Sequence, residues 1–178
     1  MIGATKLTDF FLKALINTAV DLCLLRLRPQ DLPASPILFL LATLLNLLVG
    51  VLVVVGSQIT LPVAFLESLF AVTLMQGTLY IALKLRHRLI RFNQTATALM
   101  LSGLLLDCLA LPLLAWNHRD ESGESVLLLM VLMFWGILVM GHILRHAFEM
   151  PLNMGISVAL LYTLFSWFIA ALFFPVAI

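Results

Sequence analysis

Five apolar stretches, each about as long as a bilayer is thick, constrain this chain more than any other feature. They run from Ile37 to about Gly56, Leu61 to Leu83, Thr95 to Trp116, Val126 to Leu144 and Leu152 to Phe174. A helix of roughly 20 apolar residues covers a hydrocarbon core of about 30 Å. The breaks between them carry the residues that stop such helices. Gly56-Ser57-Gln58 with Pro62 makes a tight turn, and residues 84–94 form a basic loop. Residues 117–125 form a polar loop containing Gly123, and residues 145–151 a short connector. A membrane barrel would instead alternate polar and apolar residues in segments of about ten. Runs such as Leu127-Leu128-Leu129-Met130-Val131-Leu132 do not alternate.

Composition agrees. Of 178 residues, 63% are hydrophobic and 11% charged, with a mean hydropathy of +1.14. Soluble domains carry about 25% charged residues, so a water-soluble enzyme and a disordered tail are both excluded. A net charge of +1 gives no basic surplus for nucleic acid. Cys23 and Cys108 read as reduced packing residues. The N-terminal segment that precedes these stretches carries Lys13 and Asp21 and no clear small-residue cleavage site, so no cleaved signal peptide is expected. The expectation is an all-α membrane protein: residues 1–36 as an amphipathic helix with a Pro-rich entry, and 37–178 as a five-helix transmembrane domain.

Residues 1–36 differ from the rest. Lys6, Asp9, Lys13, Asn17 and Asp21 recur at helical spacing as one polar stripe, and Phe10, Leu15, Ile16 and Val20 cover the remainder. Such a helix lies in the headgroup plane with its apolar side down, or packs on the spans as a buttress, and the two are compatible. Thr8 and Asp9 suit its start. Arg28, Pro29, Pro33 and Pro36 lead out of it.

Lysine and arginine accumulate on the cytoplasmic side of membranes. With the N-terminus inside, nine of the ten basic residues fall inside and only Arg119 outside. The outer loop then holds Asp120, Glu121 and Glu124, and the C-terminus is outside.

Few residues offer chemistry. Glu67 and Asp107 are carboxylates within spans, each on the order of 10–13 Å from the outer face at 1.5 Å per residue. Ionisable groups at such depth face a bundle interior or water. The two can meet with Asn46, Gln58 or Gln76 in a polar pocket, as a proton or ion relay or as a structural lock between helices. Pro112 frees the carbonyl of Cys108 and can bend the third span. His142, His146 and Glu149 have a spacing that permits a metal site, but their place at the inner boundary fits headgroup contact or helix capping better. Lys84, Arg86, Arg88 and Arg91 serve topology and anionic-lipid attraction, or dock a cytoplasmic protein. Serine-nucleophile, nucleotide-loop and Cys-x-x-Cys motifs are absent from the sequence. No catalytic residue, metal or cofactor is therefore expected. Ser102-Gly103 is a place where helices can approach closely.

Leu27-Arg28-Pro29 at the entry to the bundle, Phe92-Asn93-Gln94-Thr95 at the third span and the run from Phe134 to Leu144 in the fourth resemble the Yip family in its bacterial form. The resemblance covers about Arg26 to the C-terminus. It implies a five-span, non-enzymatic membrane protein. The aspartate-leucine-tyrosine-glycine-proline motif of eukaryotic members is missing, so their vesicle-trafficking role does not carry over. The expected function is an interaction or scaffold role in a bacterial inner membrane, in contact with lipid and binding partner membrane proteins or itself. The alternative is a small transporter or channel component using Glu67 and Asp107.

Overall fold

A computed structural model describes residues 2–117 and 123–174, with residues 2–12 as backbone only. Arg119, Asp120, Glu121 and the tail 175–178 lie outside the described residues, as do the side chains of Lys6, Asp9 and Phe10. The described chain is helical throughout, with no strand: α1 (Ile2–Cys23), α2 (Pro36–Gly56), α3 (Leu61–Leu85), α4 (Phe92–Asn117), α5 (Glu124–Phe148) and α6 (Leu152–Phe173). Five of these, α2 to α6, are long and apolar enough to cross a membrane.

The breaks work as the sequence indicates. Ser35 caps α2 by accepting from the Leu38 amide at 3.3 Å, and Pro36 occupies the first turn, where its missing N–H costs nothing. Gln58 takes φ +68° in the turn after α2. α5 closes on Glu149 at φ +52°, with the Met150 amide returning to the Arg145 carbonyl at 2.9 Å. α4 runs through Pro112 to Asn117.

Three helices exceed their apolar stretches at one shared end. α3 continues to Leu85, α4 begins at Phe92 and α5 reaches Phe148. Hydropathy falls off at the first polar residues, but backbone hydrogen bonding continues until a left-handed residue or a break ends it. α4, at 26 residues, is about 39 Å long against a core of about 30 Å, so roughly 9 Å overhangs. Residues 24–36, 86–91 and 149–151 gather at this end, which carries most of the arginines and is called the basic end below.

α4 is the centre. It packs on α1, α2 and α5 and more lightly on α3; α2 also packs on α3, and α5 on α6. The helices therefore form an arc, α3–α2–α4–α5–α6, whose ends touch where Phe70 meets Phe173 and Phe174, ring centroids 5.6 and 5.7 Å apart. Every residue from Thr95 to Ser102 is buried. The core around them, including Leu22, Leu83, Leu101 and Ile143, sits in the basic half.

α5 and α6 approach most closely at two glycines. A Cβ on Gly155 would collide with the Gly141 carbonyl oxygen, and one on Gly141 would stand 2.8 Å from Ile156 Cα. Small residues that let backbones meet are the usual device for joining helices in lipid, where burial gives no hydrophobic gain.

α1 begins at Ile2, about two turns before the start expected at Thr8 and Asp9. Residues 15–23 are a buttress: Ala19, Leu22 and Cys23 are buried, Cys23 Sγ donates to the Ser102 carbonyl at 3.7 Å, and Trp135 Nε1 donates to the Cys23 carbonyl at 3.1 Å. Ile16, Val20 and Leu24 face outward. Ser102 lies ten residues into α4, about 15 Å from its start.

Candidate functional site

The intramembrane carboxylates share a cavity. Glu67 of α3 and Asp107 of α4 both line a cleft of about 410 Å³, with Asn46 of α2 and Ser166 and Trp167 of α6. An adjoining lobe of about 350 Å³ continues past Asn46 and Asp107 towards Ser102, Gly103 and Tyr162. The arc explains the cleft, because α3 and α6 touch only lightly, at the aromatic contact opposite the basic end and where Thr78 bonds Tyr162. Trp167, 59% exposed, stands at its mouth.

Asn46 and Asp107 lie at matching depth, ten residues from the C-terminal ends of α2 and α4. Asn46 Nδ2 donates to Asp107 Oδ2 at 3.4 Å. Gly103, one turn before Asp107, makes room for this: a Cβ there would be 3.0 Å from Asn46 Nδ2. Ser68, next to Glu67, is 5% exposed, lines the same cleft, and its Oγ has no hydrogen-bond partner. A helical serine normally satisfies itself on a carbonyl one turn back. Among the described residues neither Glu67 nor Asp107 has an ion-pair partner. The cleft thus offers two carboxyls, two hydroxyls and an amide with no basic side chain among them.

Gln76 is elsewhere. Its Nε2 donates to Thr43 Oγ1 at 3.1 Å, tying α3 to α2 below the cleft. Gln58 is exposed in the turn. The structure brings together Glu67, Asp107 and Asn46 and leaves those two apart. Ser68, Ser166 and Gly103 complete the site. Gly103 carries a small-residue signal in sequence; a lone serine in an apolar helix carries none.

The basic loop divides. Lys84 and Arg86 are exposed beside Ile81, Leu85 and Ile90, a mixed face suited to headgroups. Arg88 and Arg91 instead turn inward onto Glu149 of the next connector. Arg88 Nη2 donates to Glu149 Oε2 and Arg91 Nη2 to Oε1, both at 2.6 Å. These two guanidiniums hold the Glu149 carboxyl down at about 2. Half of the loop therefore joins two parts of this chain rather than meeting lipid.

The histidines do not converge on a metal. His142 Nε2 is 3.2 Å from the Leu27 carbonyl, and His146 stacks edge-on against it at 4.7 Å. Glu149 is taken by the arginines. Among the described residues no three candidate ligands come together. The histidines belong to a strap that fastens residues 24–36. Gln94 Nε2 donates to the carbonyls of Gln30 and Leu32 at 3.2 and 2.7 Å, and Gln30 Nε2 to that of His146 at 2.6 Å.

Compared with known protein families, with curated proteins and with solved structures, the chain has no match.

Proposed function

We propose that this chain is a non-enzymatic protein of a bacterial cytoplasmic membrane that works by binding a partner membrane protein in the cleft. The basic end faces the cytoplasm and the cleft lies in the outer half of the bilayer. One observation carries this reading: Glu67 and Asp107 line a single cleft, open beside Trp167, with no basic side chain among its lining residues. Carboxylates at membrane depth pair with a complementary group or a proton. The apolar stretches of this chain contain no lysine or arginine, so a second copy cannot supply the charge from its spans. A partner helix carrying a basic or strongly donating side chain can. The resemblance of residues 26 onward to the Yip family points to the same non-enzymatic class.

A photo-crosslinker at Ala71, an exposed residue on the cleft wall, tests this in cells. A discrete adduct is expected from Ala71, absent in the Glu67→Gln/Asp107→Asn variant and absent from Leu161 on the outer face of α6. Equal adducts from both positions, or an adduct indifferent to the carboxyls, would contradict it.

The shared cleft also favours a second reading, a proton or ion transporter. Against it stands the basic half, where α4 is buried from Thr95 to Ser102 and the space beyond the cleft narrows to a largely apolar cavity of about 90 Å³. Proton flux in reconstituted vesicles, lost in Glu67→Gln at equal protein level, would establish the transporter instead.

A further inference from the structure

The basic end holds a second cavity, about 540 Å³, where the strap, the start of α4 and the α5–α6 connector meet. Arg28, Arg91, Arg145 and His146 line it, against Asp31 and Glu149. The charges do not cancel. Glu149 is occupied by Arg88 and Arg91. Asp31 Oδ2 accepts from the backbone amide of Arg28 at 3.0 Å, closing its own turn. Arg145 Nε donates to His146 Nε2 at 3.2 Å, which leaves its outer nitrogens for another acceptor. Among the described residues neither Arg28 nor Arg145 has a carboxylate within ion-pair distance. Two guanidiniums from different segments therefore line one space without an ion pair to either of its carboxylates.

The rest of the lining is also informative. Gln30 Oε1 is buried without a donor, and Met150, Pro151 and Leu152 give the cavity an apolar side at the start of α6. Paired guanidiniums match phosphate oxygens with two-pronged hydrogen bonds. A basic pocket between helices at the level where headgroups lie meets phosphates attached to acyl chains. We propose that this cavity binds the phosphate of an anionic phospholipid headgroup, with Arg28 and Arg145 as its donors and the Met150–Leu152 side against the lipid's glycerol and first methylenes. The site is independent of the cleft and of what the cleft binds.

Native mass spectrometry of the full chain in detergent tests it, with phosphatidylglycerol, phosphatidylcholine and inorganic phosphate as probes. Wild type is expected to retain one phosphatidylglycerol in preference to phosphatidylcholine. Arg28→Gln/Arg145→Gln should weaken that retention by roughly tenfold or more, and by clearly more than Lys84→Gln/Arg86→Gln, which loses the same charge at the exposed end of α3 and outside the cavity. Arg28→Gln alone, an exposed residue outside every helix, gives the same direction if the double variant misfolds. Equal weakening in both double variants would reduce the effect to general charge and overturn the site. Retention of inorganic phosphate without preference for phosphatidylglycerol would overturn the lipid as its source.

Discussion

The two halves of the bundle are built differently. In the basic half, α4 is buried on every side from Thr95 to Ser102, Gly141 and Gly155 hold α5 against α6, and Gln30, Gln94 and Arg91 spend their donors on the strap and on the end of α5. In the other half, α3 and α6 meet near Phe70, and Glu67, Asp107, Asn46 and Ser68 line an open cleft. Side chains donating to carbonyls fix a particular arrangement of chain; a cleft of unmatched carboxyls leaves one face to be completed. The half that holds the fold and the half that holds the cleft are therefore separable, and substitutions should sort by half.

The largest effect is expected at Gly155. Gly155→Ala places a methyl against a backbone carbonyl that cannot yield, so α5 and α6 must separate, at a cost of roughly 1–3 kcal/mol. Gly155→Leu should abolish folded yield. Gly77→Ala is the control, since a Cβ there meets nothing within 4 Å; its melting temperature in detergent should hold or rise. Comparable melting of Gly155→Ala and Gly77→Ala would remove the glycine contact from the account.

Gln94→Leu comes next. It strips the Gln30 and Leu32 carbonyls of their donor, costing about 1–3 kcal/mol, and should expose residues 24–36 to protease before the spans melt. A melting curve and digestion pattern like wild type would show that the strap does not depend on Gln94.

The Arg88–Glu149–Arg91 cluster should give a smaller, pH-dependent effect. The Glu149 carboxyl is held at about 2 in the folded protein against an ordinary value of 4.5. A depressed acid stabilises the fold fully above its unfolded value and loses that contribution as pH falls. Melting temperature should therefore decline between about pH 5 and pH 2, and Glu149→Gln should flatten this decline while starting lower at neutral pH. Because the cluster is solvent-exposed, salt should shrink the difference between the two proteins.

The smallest stability change is expected in the open half. Asn46→Ala removes one long hydrogen bond, worth about 0.6 kcal/mol or less in membrane proteins, and should barely move the melting temperature. It should nevertheless weaken the Ala71 crosslink, because Asp107 loses the amide that orients it. A large loss of stability would mean that the polar cleft holds the bundle together.

Much of this was legible in the sequence, because span number and order follow from how much apolar chain a bilayer requires. Helix ends were less so at the basic end: Phe92, Asn93, Arg145 and His146 are polar or interfacial by type, yet the helical ladder runs through them. Glu67, Asp107 and Asn46 stand out as polar residues at nearby depth, and the arc of helices places them on one cleft. The inward turn of Arg88 and Arg91 had no such signal, since Glu149 is about 60 residues away and charge in a loop reads as solvent-facing. The Gly141–Gly155 contact was likewise hidden, because the two glycines lie on different helices and their meeting depends on helix rotation.

The central claim is that α2 to α6 each cross a bilayer, with the strap inside and the cleft towards the outside. Labelling with a membrane-impermeant maleimide tests it directly, using Gln58→Cys and His87→Cys in a background of Cys23→Ser and Cys108→Ser. The account predicts that Gln58→Cys reacts in intact cells and that His87→Cys reacts only after the membrane is opened. Labelling of His87→Cys from outside, or of both positions from the same side, would contradict it.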